Sequence, residues 1–237
     1  MVLTLSRRSI FHRRRPFDPL IQRRTFGARL RRLAGSAAAF LKKHAALAAS
    51  RPADRPDASH ARGRHTNAWP GSRVISAQKA NTANAFSLDG LALSTANLYS
   101  AVQPGGSLYG LQHSNPVDTG VAYGGSSANY GQANDPMGGK RIGGVNVFGG
   151  GLALYDASRH VVGAVGLSGD TSCADHMIAW RVRNLLQLDY LNTVGGVSGD
   201  PTRPDNIIYD LNSPHPSGFG HPTCINTANQ TTLPVVH

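Results

Sequence analysis

The chain has 237 residues and a formal net charge of +11, set by twenty-four Lys and Arg against thirteen acids, all of them Asp. No stretch approaches the roughly 20 consecutive apolar residues of a membrane-spanning helix, so a helical span is excluded. The charge is unevenly placed: residues 1–67 hold sixteen of the basic residues and three acids, a net +13, whereas residues 68–237 are nearly neutral at −2. A segment of about 170 residues is long enough to bury a core of its own. The sequence therefore divides into an Arg-rich segment (1–67), one domain (68–224) and a flexible tail (225–237).

Three readings fit the Arg-rich segment. Charge alone would suit nucleic acid or a membrane surface, but the aromatic residues that stack on bases are sparse there (Phe11, Phe17, Phe26, Phe40), so nucleic acid is not the expected partner. Targeting is the second reading. Arg23 to Ser50 is Arg- and Ala-rich without acids, in the manner of a transit peptide. Ser6-Arg7-Arg8-Ser9-Ile10-Phe11 also resembles a twin-arginine export motif, although basic residues follow where an apolar run is required. The third reading, preferred here, is a disordered or non-native leader.

From Trp69 the chain reads as an ordered domain. Ser72 is a candidate N-cap for a helix from Arg73 to about Phe86, whose small alanines Ala77, Ala80 and Ala83 predict close packing on a neighbour. Leu91 to Val102 reads as a second helix or extended turn, and Ser107 to Gln112 as a short strand. Residues 113–141 have loop composition. A loop of that length calls for a reason: ligand binding, an oligomer contact or mobility. Val145 and Val147 suggest a strand. Leu152–Leu154 and Val161–Leu167 suggest two more, joined by a turn at Asp156-Ala-Ser-Arg159. Ser168-Gly-Asp-Thr-Ser172 then offers a choice of N-caps for a helix running to about Asp189 with one face on the sheet. Asn206 to Asp210 reads as a short strand, and the last dozen residues as frayed.

Three motifs occur in order: Ser76-Ala-Gln-Lys-Ala-Asn-Thr-Ala83, Gly149-Gly-Gly-Leu-Ala-Leu-Tyr155, and Val162-Gly-Ala-Val-Gly-Leu-Ser-Gly169 followed by Asp175. Together they resemble the GlcG/HbpS family, whose members are described as haem-binding or haem-degrading domains. The resemblance runs from Trp69 to about Cys224. It implies an α/β (α+β) fold, a profilin-like three-layer sandwich with a mainly antiparallel sheet, commonly assembled as a homo-oligomer. Family domains begin with a long helix and a β-hairpin before the Lys-bearing helix. Here the Arg-rich segment holds that place, so the domain is expected to be truncated on its N-terminal side, with an exposed sheet edge.

Candidate chemistry is thin. His176, in the first turn of the second long helix, could ligate haem iron as a neutral imidazole. Adjacent helix positions diverge, so Asp175 would not orient it directly, and Asp175 suits a helix N-terminus on dipole grounds alone. His113 and Tyr123 could supply a ligand from the long loop, and Lys140 and Arg141 could pair with haem propionates; the alternative for each is an ordinary surface residue. His215 and His221 have no spacing that signals a metal site. Gly149-Gly150-Gly151 permits close approach of a ligand or a neighbour. Cys173 and Cys224 are the only cysteines; Cys173 near a helix start would be reactive if free, but a Cys173–Cys224 disulfide is preferred, and it implies an oxidising compartment. Localisation is then periplasmic or secreted if the native N-terminus differs from the one given, and otherwise cytoplasmic. No Gly-x-Ser-x-Gly elbow and no paired carboxylates stand out, so binding is expected over catalysis. The resemblance implies a haem or tetrapyrrole binding protein for uptake, storage or sensing. The alternatives are an enzyme of haem degradation or small-organic-acid metabolism, and a non-catalytic oligomerisation module.

Overall fold

A computed structural model describes residues 2–7, 71–130, 134–209, 218–225 and 233–237, all within one compact unit. The targeting, nucleic-acid and disorder readings of the Arg-rich segment fall on residues outside this set, apart from Val2–Arg7.

In chain order the elements are β1 (Val2–Arg7), α1 (Ser72–Phe86), β2 (Leu91–Ala92), and the short helices α2 (Leu98–Ala101), α3 (Leu111–Ser114) and α4 (Thr119–Ala122). A 3-10 turn at Ser127–Asn129 precedes β3 (Gly151–Tyr155), β4 (Val161–Ser168), α5 (Ser172–Leu185) and β5 (Gly195–Gly196). The main sheet has the order β1-β4-β3 and is antiparallel throughout; β2 and β5 form a separate parallel pair. This is the α+β class with a mainly antiparallel sheet that the family resemblance implies.

The β3–β4 hairpin forms as expected. Asp156 Oδ1 accepts from the backbone N–H of Ser158 (2.9 Å) and His160 (3.1 Å), and Arg159 takes a positive φ of 62° to close the turn. Both strands are buried almost throughout, which is why β4 reads as a near-continuous apolar run rather than as an alternation. Helix α1 lies across β4, β1 and β3. Its Ala80 and Ala83 are wholly buried, and a Cβ on Gly166 would run into Ser76 O and Ala80 N. Small residues on both partners thus let backbone approach backbone.

The edge of β4 is paired, so among the described residues the sheet ends at β1. Val2–Arg7 pairs along β4 from Val2↔Ser168 to Arg7↔Gly163, so the start of the segment set apart on composition is part of the sheet. Other expectations also change. Residues 144–150 form no strand, yet Val145 and Val147 are buried with Leu93, Leu98 and Val102. Ser107–Gln112 is turn and helix, and among the described residues Asn206–Tyr209 enters no strand but carries the bridge Tyr209↔His221. Helix α5 ends at Leu185 because Gln187 takes a φ of 53°. The tail is not frayed at its end. Leu233 and Val236 are buried, Pro234 O accepts from the indole of Trp180 (3.0 Å), and His237 meets Asp189 at 2.8 Å.

The long loop is pinned rather than open. Arg73, at the start of α1, forks onto Asp135 (Nε to Oδ2, 2.7 Å), donates to Ala122 O, and lies over the Tyr130 ring at 3.8 Å. Ala122 and Ile142 pack beneath it on Val74 and Ala77.

Candidate functional site

Polar chemistry concentrates where the N-terminal end of α5 meets the middle of α1 and the C-terminal arm. Thr171 caps α5, its hydroxyl accepting from Ala174 N at 3.2 Å. Residues 175 and 176 then project in different directions, as their adjacency requires. Asp175 turns to α1 and pairs with Lys79, Nζ to Oδ2 2.9 Å; the same ammonium donates to Leu167 O at 2.9 Å. The glycine triplet makes room for this. A Cβ on Gly149 would strike Ser172 O, and one on Gly150 would lie 3.0 Å from the Asp175 Cβ and 3.2 Å from Lys79 Nζ. The close approach that these glycines permit is therefore to neighbours within the fold.

Both members of the pair are almost wholly buried. Burial outweighs their mutual attraction: it pushes Asp175 up to about 6 and pulls Lys79 below its ordinary value. A carboxyl in that range can give or take a proton near neutrality.

His176 points the other way, into the core. Its Nε2 accepts from Ile207 N at 3.2 Å, its ring sits 6.0 Å from that of Trp180, and burial drives its pKa down to about 3. An imidazole with Nε2 accepting carries its proton on Nδ1, and that buried nitrogen has no hydrogen-bond partner. The ring is wholly enclosed, so His176, as placed, presents no lone pair to solvent. Farther along α5, Arg183 makes a second buried pair with Asp205 (2.6 and 2.9 Å), donates to Ala153 O, and lies 4.5 Å from the Trp180 ring centre.

The expected disulfide is present between Cys173 and Cys224, whose Cα atoms are 6.1 Å apart. It holds the C-terminal arm on the first turn of α5, with Cys224 Sγ accepting from Cys173 N at 3.3 Å. The arm carries His221 into the same place. That residue is buried; its Nδ1 lies 2.7 Å from Pro222 O and its Nε2 has no partner. Burial lowers its pKa, with the Lys79 charge adding to the effect. The ring packs 5.3 Å from that of Tyr99, which is 6.2 Å from Phe148, a half-exposed aromatic. The site thus combines a neutral imidazole, an aromatic wall and a titratable carboxyl. The spacing of His221 carries no metal signal; its one sequence signal is its place three residues before one of two cysteines.

The remaining candidates lie elsewhere. His113 is exposed in the last turn of α3, and Lys140 and Arg141 are exposed before β3. Tyr123 is also exposed, its carbonyl accepting from Tyr130 Oη at 2.6 Å in the cluster around Arg73. Among the described residues no hydrogen bond, ion pair or ring contact joins these four to His176 or His221.

A family profile described as haem degrading protein, HbpS-like, matches residues 31–183, well over half of the chain. The chain belongs to the HbpS-like family. The match covers Lys79, both hairpin strands, Asp175 and His176, and it begins within the Arg-rich segment, upstream of the Trp69 boundary that the motifs alone suggest. It stops before Asp205, His221 and Cys224, so the arm lies outside the part of this HbpS-like chain that the profile spans. No curated protein matches the chain. Among the described residues no helix is long and apolar enough to cross a membrane.

Proposed function

We propose that this HbpS-like protein binds haem or a related cyclic tetrapyrrole where α5 meets the C-terminal arm. The observation that carries the reading is the His221 ring. It is a neutral imidazole with one nitrogen unpartnered, set against Tyr99 and near the half-exposed Phe148. Leaving a buried nitrogen unmatched costs about 1–3 kcal/mol, a cost that a ligand would remove. Haem supplies, when bound, an iron centre that accepts an imidazole nitrogen. Tyr99 and Phe148 offer flat apolar surface to the macrocycle, and the Lys79–Asp175 pair supplies a proton-exchanging group beside it.

Of the two imidazoles near the start of α5, His221 is the better ligand, because His176 Nε2 is engaged by Ile207 N. Lys140 and Arg141 remain free to meet propionates only if the loop region and this site converge on one ligand. The disulfide favours an oxidising compartment. Titrating haemin into the full-length protein tests the reading. A saturable Soret shift is expected, lost in His221→Ala and retained in Tyr123→Ala. No shift from protein with native far-UV circular dichroism removes the proposal. Loss of Soret absorbance when a reductant and oxygen are added, with a defined tetrapyrrole product, would make the activity degradative rather than storage or transport.

A further inference from the structure

Two sulfurs and an imidazole meet at the start of α5. Cys173 Sγ, Cys224 Sγ and a ring nitrogen of His221 all lie within 4.8 Å of one another. We infer that Cys173, Cys224 and His221 form a redox-gated site for a thiophilic divalent cation, closed while the disulfide stands and opened by its reduction. Two thiolates and one imidazole are a donor set that zinc takes readily, with a fourth position left to water or a solute ligand. The inference goes beyond the haem reading and does not depend on it.

Three features support the site. First, the arm is tied down without the disulfide. Ser100 N donates to Gly220 O (3.0 Å), Gly220 N to Asn97 O (3.1 Å) and His221 N to Ile208 O (2.8 Å). Reduction therefore frees the sulfurs while the chain that carries His221 and Cys224 stays in register. Second, charge suits the burial. Cys173 and His221 are almost fully enclosed, and two thiolates with a divalent cation sum to zero, which an interior tolerates better than a lone ion. Lys79, the nearby cation, is neutralised by Asp175 at 2.9 Å. Third, one ring nitrogen of His221 lies within 4.8 Å of both sulfurs, and the ring keeps a buried nitrogen unpartnered in the disulfide form.

The gating step balances with an external dithiol. Its thiolate attacks the more accessible Cys224 Sγ, the S–S bond breaks, and the electron pair leaves on Cys173 Sγ at the helix N-terminus, where a thiolate is stabilised. The dithiol's second sulfur then displaces Cys224, leaving two protein thiols and an oxidised dithiol. Cation binding releases the thiol protons.

The test uses the full chain with no haemin present. Protein reduced with a phosphine and freed of reductant is titrated with Co2+. A near-ultraviolet thiolate-to-cobalt charge-transfer band that saturates at one equivalent and is bleached by Zn2+ is expected; the disulfide form should give none. His221→Ala should weaken Co2+ binding at least about tenfold, since even second-shell losses cost that much. Should that variant misfold, wild type still decides: Zn2+ should protect Cys173 and Cys224 of reduced protein from alkylation, read by peptide mass spectrometry. The inference is overturned if reduced protein gives no band, if the disulfide form gives the same band, if Zn2+ leaves alkylation unchanged, or if reduction alone unfolds the arm. None of these results bears on haemin binding by the disulfide form.

Discussion

Helix α1 carries two cations six residues apart, and the fold treats them in opposite ways. Arg73 holds the long loop. Its fork meets Asp135, its face covers Tyr130, and the Asp135 hydrogen bond raises its pKa. Lys79 is sunk between α1, β4 and α5, where burial pulls it and Asp175 toward their neutral forms. The planar guanidinium of Arg73 is also buried, but it spreads its charge over Asp135, Ala122 O and the Tyr130 ring at once, which offsets the lost hydration. A compact ammonium in the interior loses more hydration than one carboxylate returns. The loop that composition marks as functional is thus the region held by satisfied contacts. The unpartnered buried nitrogens of His176 and His221 lie at the start of α5 instead, and that is where a ligand has something to gain.

The contrast can be broken first at Asp175. Asp175→Ala leaves Lys79 buried without its carboxylate and should cost about 4 kcal/mol, the range for stranding half of a buried pair. Asp135→Ala, at the loop, should cost less, about 2 kcal/mol, because the buried Arg73 keeps Ala122 O and the Tyr130 ring as partners. Urea denaturation of both variants checks the ratio; equal losses would mean that Lys79 finds water. The double change Lys79→Met with Asp175→Leu should recover most of the loss, because the charges then go together. Reduction of Cys173–Cys224, which closes a separation of 51 residues, should cost about 3 kcal/mol and leave the Arg73 cluster untouched, as read by hydrogen exchange at Ala122 and Tyr123.

Acid sharpens the comparison by setting two buried groups against each other. His176 sits at about 3 when folded, below the usual 6.5. The unfolded chain therefore binds the extra proton across that window, and stability present above pH 6.5 is lost as pH falls toward 3. Asp175 sits at about 6, above 3.8. Its contribution runs the other way, full below 3.8 and lost as pH rises through 6. At 1.36 kcal/mol per pH unit the histidine dominates, and a net loss of about 2 kcal/mol is expected between pH 7 and pH 3. His176→Phe should flatten the slope between pH 4 and 6, since Asp175 is then opposed by His221, whose pKa burial also lowers. A slope unchanged by that substitution would show that His176 is not neutral in the native state.

Much of this scaffold was legible in the residues because its signals are local. The turn at Asp156, the Thr171 cap, the small face of α1 and the buried run of β4 each depend on neighbours in sequence. What could not be read is what distance in the chain conceals. Leu3-Thr-Leu-Ser has the composition of a strand, but its partner lies some 160 residues on, and the arginines that follow outweigh it in any composition count. Ile207 and Ile208 look like a strand, yet Ile207 N gives its proton to the His176 side chain. His221 gains its setting through backbone bonds that it and Gly220 make to Asn97, Ser100 and Ile208, and through the disulfide from Cys224 to Cys173, none of these partners a neighbour in sequence. Arg183 looks like a solvated charge near a helix end until Asp205 is folded against it. The family resemblance located the scaffold; the arm that completes the candidate site falls outside the matched stretch.

The smallest expected effect bears on the loop. Tyr130→Leu removes the ring beneath Arg73 and the hydroxyl that reaches Tyr123 O, while Asp135 still holds the guanidinium. A cation–π contact at a partly exposed site contributes about 0.5–1 kcal/mol, so global stability should fall by no more than that. Local opening is another matter. Residues 123–130 have few other ties, and a loss of that size is a large share of what holds them. Limited proteolysis near Tyr123 should therefore quicken several-fold in the variant while the haemin titration is unmoved. A change in haemin binding would show that loop and site are coupled, and it would restore Tyr123, Lys140 and Arg141 as contributors to a single ligand face.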